Sequence, residues 1–154
     1  MPVLLVVLCC FLGAVVGFDC PDGYFPIADV YLCVGSQEEA GNGYDHNDRN
    51  CKSMNIDNGW LTQPRNAFKN TAFAQISLKK YGNVTTMIGA KRDDVNDKKA
   101  KYFYSDGSSV TYTNWAASEP AKGTGCVAID TNGVWYGVSC DSKIPYLCQF
   151  TVQP

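Results

Sequence analysis

Six cysteines constrain this chain more than any other feature: Cys20, Cys33, Cys51, Cys126, Cys140 and Cys148 all follow an apolar leader. From Val3 to Val16 the residues are almost all apolar, and Val15 and Gly17 supply small residues at the minus-three and minus-one positions of a cleavage site. This reads as a secretory signal peptide over residues 1–17, shorter than the roughly 18 to 20 apolar residues of a membrane span, and it would carry Cys9 and Cys10 away. No second apolar run follows it, so no membrane span is expected in the mature chain. An even number of cysteines in a small secreted domain predicts three disulfides, among the fifteen pairings that six cysteines allow. Zinc is excluded as their purpose, because no Cys-x-x-Cys pair occurs and the chain has one histidine.

Removing 17 of the 154 residues leaves 137, enough for one domain over 18–154 and too few for two. All charged residues lie beyond the leader, so the mature chain keeps the net charge of −2. That balance excludes electrostatic nucleic-acid binding, which needs a basic face.

Short β-forming stretches dominate the pattern. Tyr24 to Ile27 and Val30 to Val34 predict a hairpin, and Met87 to Ala90 a central strand. Tyr102 to Tyr104, Cys126 to Ile129, Val134 to Val138 and Pro145 to Phe150 predict further strands. A helix is expected from about Asp45 to Asn55, stopped by Asn58-Gly59. A second follows Pro64 and ends at Tyr81-Gly82-Asn83, with Phe68, Ala72 and Ile76 on its buried stripe. Two helices and many short strands make an α+β domain.

The segment from 114 to 148 is the most specific. It reads Asn114-Trp115, Glu119-Pro120, Cys126-Val127, Val134-Trp135, Cys140 and Tyr146-Leu147-Cys148. In that order and spacing it resembles the closing half of a C-type lectin-like domain, and Met87-Ile88-Gly89 resembles the Trp-Ile-Gly motif of the same family. The resemblance covers essentially the whole mature chain. It implies a C-type lectin-like fold, with two helices packed on short antiparallel sheets and a long loop. It also implies the pairs Cys20 with Cys33, Cys51 with Cys148 and Cys126 with Cys140, and a cis bond between Glu119 and Pro120. On the chain-entropy account the bridge from Cys51 to Cys148 contributes about 4.7 kcal/mol and each short bridge about 3 kcal/mol, as upper values. Trp115, Trp135 and Trp60 are expected in the core.

Sugar-binding members of that family hold a Ca²⁺ in the long loop, bridged by two sugar hydroxyls, and calcium needs six to eight oxygens. The ligands come from a Glu-Pro-Asn or Gln-Pro-Asp triplet, an acid shortly before a cysteine, and a Trp-Asn-Asp run. Here those positions read Glu119-Pro120-Ala121, Thr124-Gly125-Cys126 and Trp135-Tyr136-Gly137, so of the expected side-chain ligands only Glu119 remains. The usual Ca²⁺ site is therefore expected to be absent, with no cofactor in its place. Glu119 is either an acceptor for a ligand hydroxyl or, more simply, a solvated loop acid. Asp93, Asp94 and Asp97 form a second acidic group, but Lys91, Arg92, Lys98, Lys99 and Lys101 flank it, and such a mixed run reads as a solvated face.

Without calcium, an aromatic ring would have to carry the contact, with polar neighbours bonding to ligand hydroxyls. Tyr136 is the leading candidate, with Glu119, Asn114 and Thr124 as its polar partners, and Tyr104 and Tyr112 lie near the loop. Catalysis is not expected. His46 beside Asp45 points elsewhere on a helix and reads as an exposed residue, no Gly-x-Ser-x-Gly motif occurs, and the cysteines are committed to bridges. Asn83-Val84-Thr85 is an N-glycosylation sequon. The expected function is a secreted recognition module for a glycan or an extracellular protein, acting without calcium, of a kind associated with innate defence. The alternative is a structural or protein-interaction domain that kept the scaffold and binds no sugar.

Overall fold

The computed structural model of the chain describes residues 18–27, 30–36, 40–54, 58–97 and 99–152. The expected leader with Cys9 and Cys10 lies outside them, as do Asn55 and Lys98. Two antiparallel sheets and two helices follow the α+β expectation. In the first sheet β1 (Tyr24–Ile27) pairs with β2 (Leu32–Gly35), β2 with β8 (Cys148–Thr151), and β8 with β3 (Trp60–Leu61). The last strand therefore lies between two early ones, which brings both ends of the domain into one sheet. The second sheet runs β5 (Tyr102–Tyr104), β4 (Thr86–Arg92), β6 (Cys126–Ile129), β7 (Trp135–Val138).

Gly89 is where the two sheets meet. Its N–H donates to Thr62 O at 2.8 Å, and a β-carbon on it would sit 3.0 Å from Leu61 Cβ and Leu61 O. Only glycine lets the backbones approach that closely. Helix α1 (Tyr44–Ser53) packs beside this joint, with Tyr44 Oη donating to Gly89 O at 3.0 Å. Cys51 of α1 is bonded to Cys148 of β8, Cys20 to Cys33, and Cys126 to Cys140, the three pairs that the family resemblance implies.

Helix α2 (Ala67–Tyr81) departs from the expected helix in its start and in its face. Asn66 caps it, its Oδ1 accepting from Lys69 N at 2.8 Å, and Pro64 stays outside. The buried residues are Asn70, Phe73, Ala74 and Ser77, while Phe68 is 50 % exposed and Ala72 and Ile76 are only partly covered. Apolar periodicity misses this stripe because half of it is polar and bonded inward. Asn70 Nδ2 donates to Gly133 O at 2.8 Å, Asn70 Oδ1 accepts from Trp135 Nε1 at 2.7 Å, and the Ser77 hydroxyl bonds to that of Thr86.

Several expected boundaries also shift. β2 begins at Leu32 rather than Val30, β7 at Trp135 rather than Val134, and β8 at Cys148 rather than Pro145. Helix α1 starts at Tyr44 and ends at Ser53. Strand β3 was not expected at all. Trp135 is fully buried, whereas Trp60 and Trp115 are half-buried, Trp60 lying under Lys52 with Nζ 5.0 Å from the ring centre. His46 is half-buried, not exposed, because the first turn of α1 docks on the Cys140 segment through Tyr44 N and Cys140 O at 2.7 Å.

Replacing Asn70 by Ala leaves the Trp135 indole N–H buried without an acceptor, and an orphaned buried donor costs about 1–3 kcal/mol. A urea or thermal melt of Asn70→Ala is expected to show that loss. A variant as stable as the parent would mean that this polar contact does not hold α2 to β7.

Candidate functional site

The long loop leaves β5 and returns to β6, and its expected site residues fall into three places. Glu119 and Thr124 come together. The Glu119-Pro120 bond is cis, and Glu119 Oε2 accepts from Ala121 N at 2.8 Å and from Gly137 N at 2.9 Å. Thr124 Oγ1 donates to Ala121 O at 2.6 Å. Glu119 is therefore not the solvated loop acid of the simpler expectation; its carboxylate is half-buried and committed to two backbone amides. One carboxylate oxygen thus pins the loop to β7, a charge-assisted contact of the stronger kind.

Gly137 makes that contact feasible. A β-carbon at 137 would overlap Thr124 Oγ1 and lie 3.1 Å from Glu119 Oε2. The space beside Gly137 is filled by the two loop side chains, so the position has no room for the acid that the resemblance leads one to look for there. Ala121, Thr124 and Gly137 contribute no carboxylate, and the one carboxylate present has its Oε2 held by two N–H donors. The residues present do not fit a Ca²⁺ at this place.

Asn114 and Tyr136 lie apart from that pair. Asn114 Nδ2 donates to Gly133 O at 2.7 Å, the carbonyl also used by Asn70. Tyr136 sits one position along β7 from Gly137 and so projects from the opposite face of the strand. It is half-buried, with its hydroxyl 3.4 Å from Asp130 Oδ2. The four residues therefore do not converge on one ligand. Tyr104 is 3 % exposed, its hydroxyl donating to Pro64 O, so it belongs to the core and not to a ligand surface. Trp115, Tyr112 and Trp135 stack edge to face behind the loop, with centroids 5.5 Å and 5.9 Å from that of Trp135.

The acidic run is spent on local turns. Asp93 Oδ1 accepts from Asp94 N, Asp94 Oδ1 from Asn96 N, and Asp97 Oδ1 from Lys99 N, each at 2.8–2.9 Å. Among the described residues no group of three His, Cys, Asp or Glu side chains converges as metal ligands would. Arg92, expected on the solvated face with its lysine neighbours, is instead 2 % exposed, its guanidinium surrounded by loop carbonyls. Burial pushes the Tyr102 hydroxyl's pKa up, Arg92 nearby pulls it down, and Glu119 pushes it up again, so all three line the root of the loop. Sequence reasoning missed Arg92 and Gly137. The expected central strand stops at Ala90, whereas β4 runs on to Arg92, where alternation between core and surface turns the side chain inward.

A pocket of about 350 Å³ opens elsewhere, between α1 and the β4–β5 edge, lined by Tyr44, Asp48, Lys91, Phe103 and Ser105. Lys91 Nζ sits at its rim, 3.1 Å from Asp45 Oδ1 and 5.2 Å from the centre of the Tyr44 ring. No helix among the described residues is long and apolar enough to cross a membrane.

Comparison with known proteins agrees with this fold. A phospholipase A2 inhibitor from Bothrops jararacussu is 32 % identical over 93 residues, 60 % of this chain and 45 % of the inhibitor. The chain thus spans about half the length of the curated relatives it matches. The carbohydrate-recognition domain of the mouse scavenger receptor C-type lectin superposes with a TM-score of 0.72 at 19 % identity, over 88 % of this chain and 98 % of that one. Human lithostathine gives 0.72 at 23 % identity, over 86 % and 100 %. At those identities the two structures speak for the fold alone. The family profile described as Lectin C-type domain matches residues 41–150, and with the fold and the three disulfides this places the chain in the C-type lectin domain family.

Proposed function

We propose that this chain is a secreted, calcium-independent recognition module whose loop surface binds an extracellular protein. The observation that carries the reading is the commitment of Glu119 and Thr124 to Ala121 and Gly137. A sugar chelated through calcium needs several carboxylate oxygens around the ion, and here the loop offers one carboxylate, whose Oε2 already accepts from two backbone amides. Relatives called phospholipase A2 inhibitors act on a protein by name, which supports a small secreted protein as the partner class, a phospholipase A2 being the first to try. No catalytic group is assigned, since recognition needs none.

A glycan is the second reading, favoured by Tyr136, whose partly exposed ring offers an apolar face beside Asp130 without any metal. A role in defence against microbes belongs with that reading. The secretory route also supports a glycan on Asn83 itself, which is exposed and uses only its Oδ1, accepting from Thr131 Oγ1 at 2.9 Å.

Binding of the disulfide-bonded chain to a secreted phospholipase A2 and to yeast mannan is expected to be equal in millimolar Ca²⁺ and in EDTA. Tyr136→Ala is expected to weaken binding to mannan at least tenfold with an unchanged melting temperature, and mannan binding that ignores Tyr136 would remove the glycan reading. Phospholipase binding that appears only with calcium would contradict the calcium-independent assignment. The lock itself is tested by Gly137→Ala, which is expected to cost about 1–3 kcal/mol by overpacking against Thr124. A thermal melt within half a degree of the parent would show that the space is open after all.

A further inference from the structure

The guanidinium of Arg92 lies in a cage made only of main-chain oxygens. Arg92 Nε donates to Thr124 O at 2.6 Å, one terminal nitrogen to Asp97 O at 3.3 Å, and the other to Val95 O at 3.0 Å and Ala121 O at 2.9 Å. The side chain is 2 % exposed and its charge stands 5.6 Å from the centre of the Tyr102 ring. A guanidinium stays protonated even when buried, so the chain carries a permanent positive charge at the root of its long loop. Burying a charge that deeply is costly unless it is fully hydrogen-bonded, and the carbonyl dipoles supply that compensation.

These carbonyls come from two separate stretches, 95–97 and 121–124, that no strand pairing joins. Gly123 N donates to Val95 O at 2.9 Å, and Arg92 N to Gly125 O at 2.9 Å, so the stretches are stitched together around the same side chain. Ala121 connects this cage to the Glu119 lock. Its carbonyl accepts from both Arg92 and Thr124, and its N–H donates to Glu119. Convergent carbonyl oxygens from two loop segments are what a bound cation would gather. Here a side chain fills the position.

We propose that the oxygen cage formed by residues 95, 97, 121 and 124 is a cation site whose resident cation is the guanidinium of Arg92, which orders the long loop as a bound metal ion would. Arg92 is thus a positioning residue for the recognition surface, and it makes that surface insensitive to calcium supply. This rests on the calcium-independent reading above but is read out without any ligand, so its failure is distinguishable from failure to find a partner.

Lys122 is exposed in the centre of the pinned stretch and is followed by Gly123, which makes trypsin cleavage after it a direct gauge of loop order. In the full disulfide-bonded chain, cleavage after Lys122 is expected at the same slow rate in millimolar Ca²⁺ and in EDTA. Arg92→Met is expected to raise that rate at least tenfold in both conditions, and Arg92→Lys, which keeps the charge but not the fan of donors, to give an intermediate rate. The Gly123 amide, which donates to Val95 O, is expected to lose hydrogen-exchange protection in Arg92→Ala and to regain it on addition of methylguanidinium, a small mimic that fits the vacated space and restores the donors, a response that general destabilisation would not give. If Arg92→Met does not fold, hydrogen exchange of the Gly123 amide in the parent chain decides, and equal protection with and without calcium is expected. An Arg92→Met loop cut as slowly as the parent, or a parent loop protected only by calcium, would overturn the proposal.

Discussion

A long loop without regular structure carries backbone amides and carbonyls that neither helix nor sheet can satisfy, and a buried polar group left unpaired costs more than most contacts gain. In this chain that requirement is met by side chains from the flanking elements and from the loop itself. Arg92 at the end of β4 takes up loop carbonyls, Glu119 takes up two loop-side amides, and Asn70 and Asn114 share the carbonyl of Gly133. The contacts of Arg92 with Thr124 and Ala121, of Glu119 with Gly137 and of Asn70 with Gly133 act across long sequence separations, so the loop acquires a single shape only once both sheets and α2 are in place. The conformation of the loop is a consequence of the folded sheets, of which the second lies wholly within the covalent loop closed by Cys51 and Cys148.

The disulfide pairs follow from the family resemblance, because six cysteines by themselves leave fifteen pairings open. The strands at Tyr24–Ile27, Tyr102–Tyr104 and Cys126–Ile129 lie where short β-forming stretches put them, whereas the order of strands in the two sheets is set by contacts between distant segments. The buried face of α2 does not announce itself, because Asn70 and Ser77 are polar residues whose partners sit on distant strands. Strand β3 is two residues long and exists only because β8 passes beside it.

Residue type alone shows that Ala121 and Gly137 carry no carboxylate; it does not show what packs in their place. That Glu119 turns inward is decided by a contact with Gly137, eighteen positions away. Arg92 sits among lysines in a run of mixed charge, and nothing in that run distinguishes it, buried, from the exposed Lys99 and Lys101. Its lysine neighbour Lys91, one position along the strand, projects the other way toward Asp45. Strand alternation is therefore what separates a structural cation from a solvated one, and it becomes visible only when β4 is known to extend as far as residue 92.

The central claim is that the loop is held by the chain's own charges and not by a bound ion. It is tested most directly by the thermal melt of the intact, disulfide-bonded protein in millimolar Ca²⁺ and in EDTA. A ligand present at about a hundred times its dissociation constant adds roughly 2.7 kcal/mol, which moves the midpoint of a domain this size by several degrees. The account predicts two superimposable curves. A midpoint several degrees higher in calcium would contradict it and return an ion to the loop.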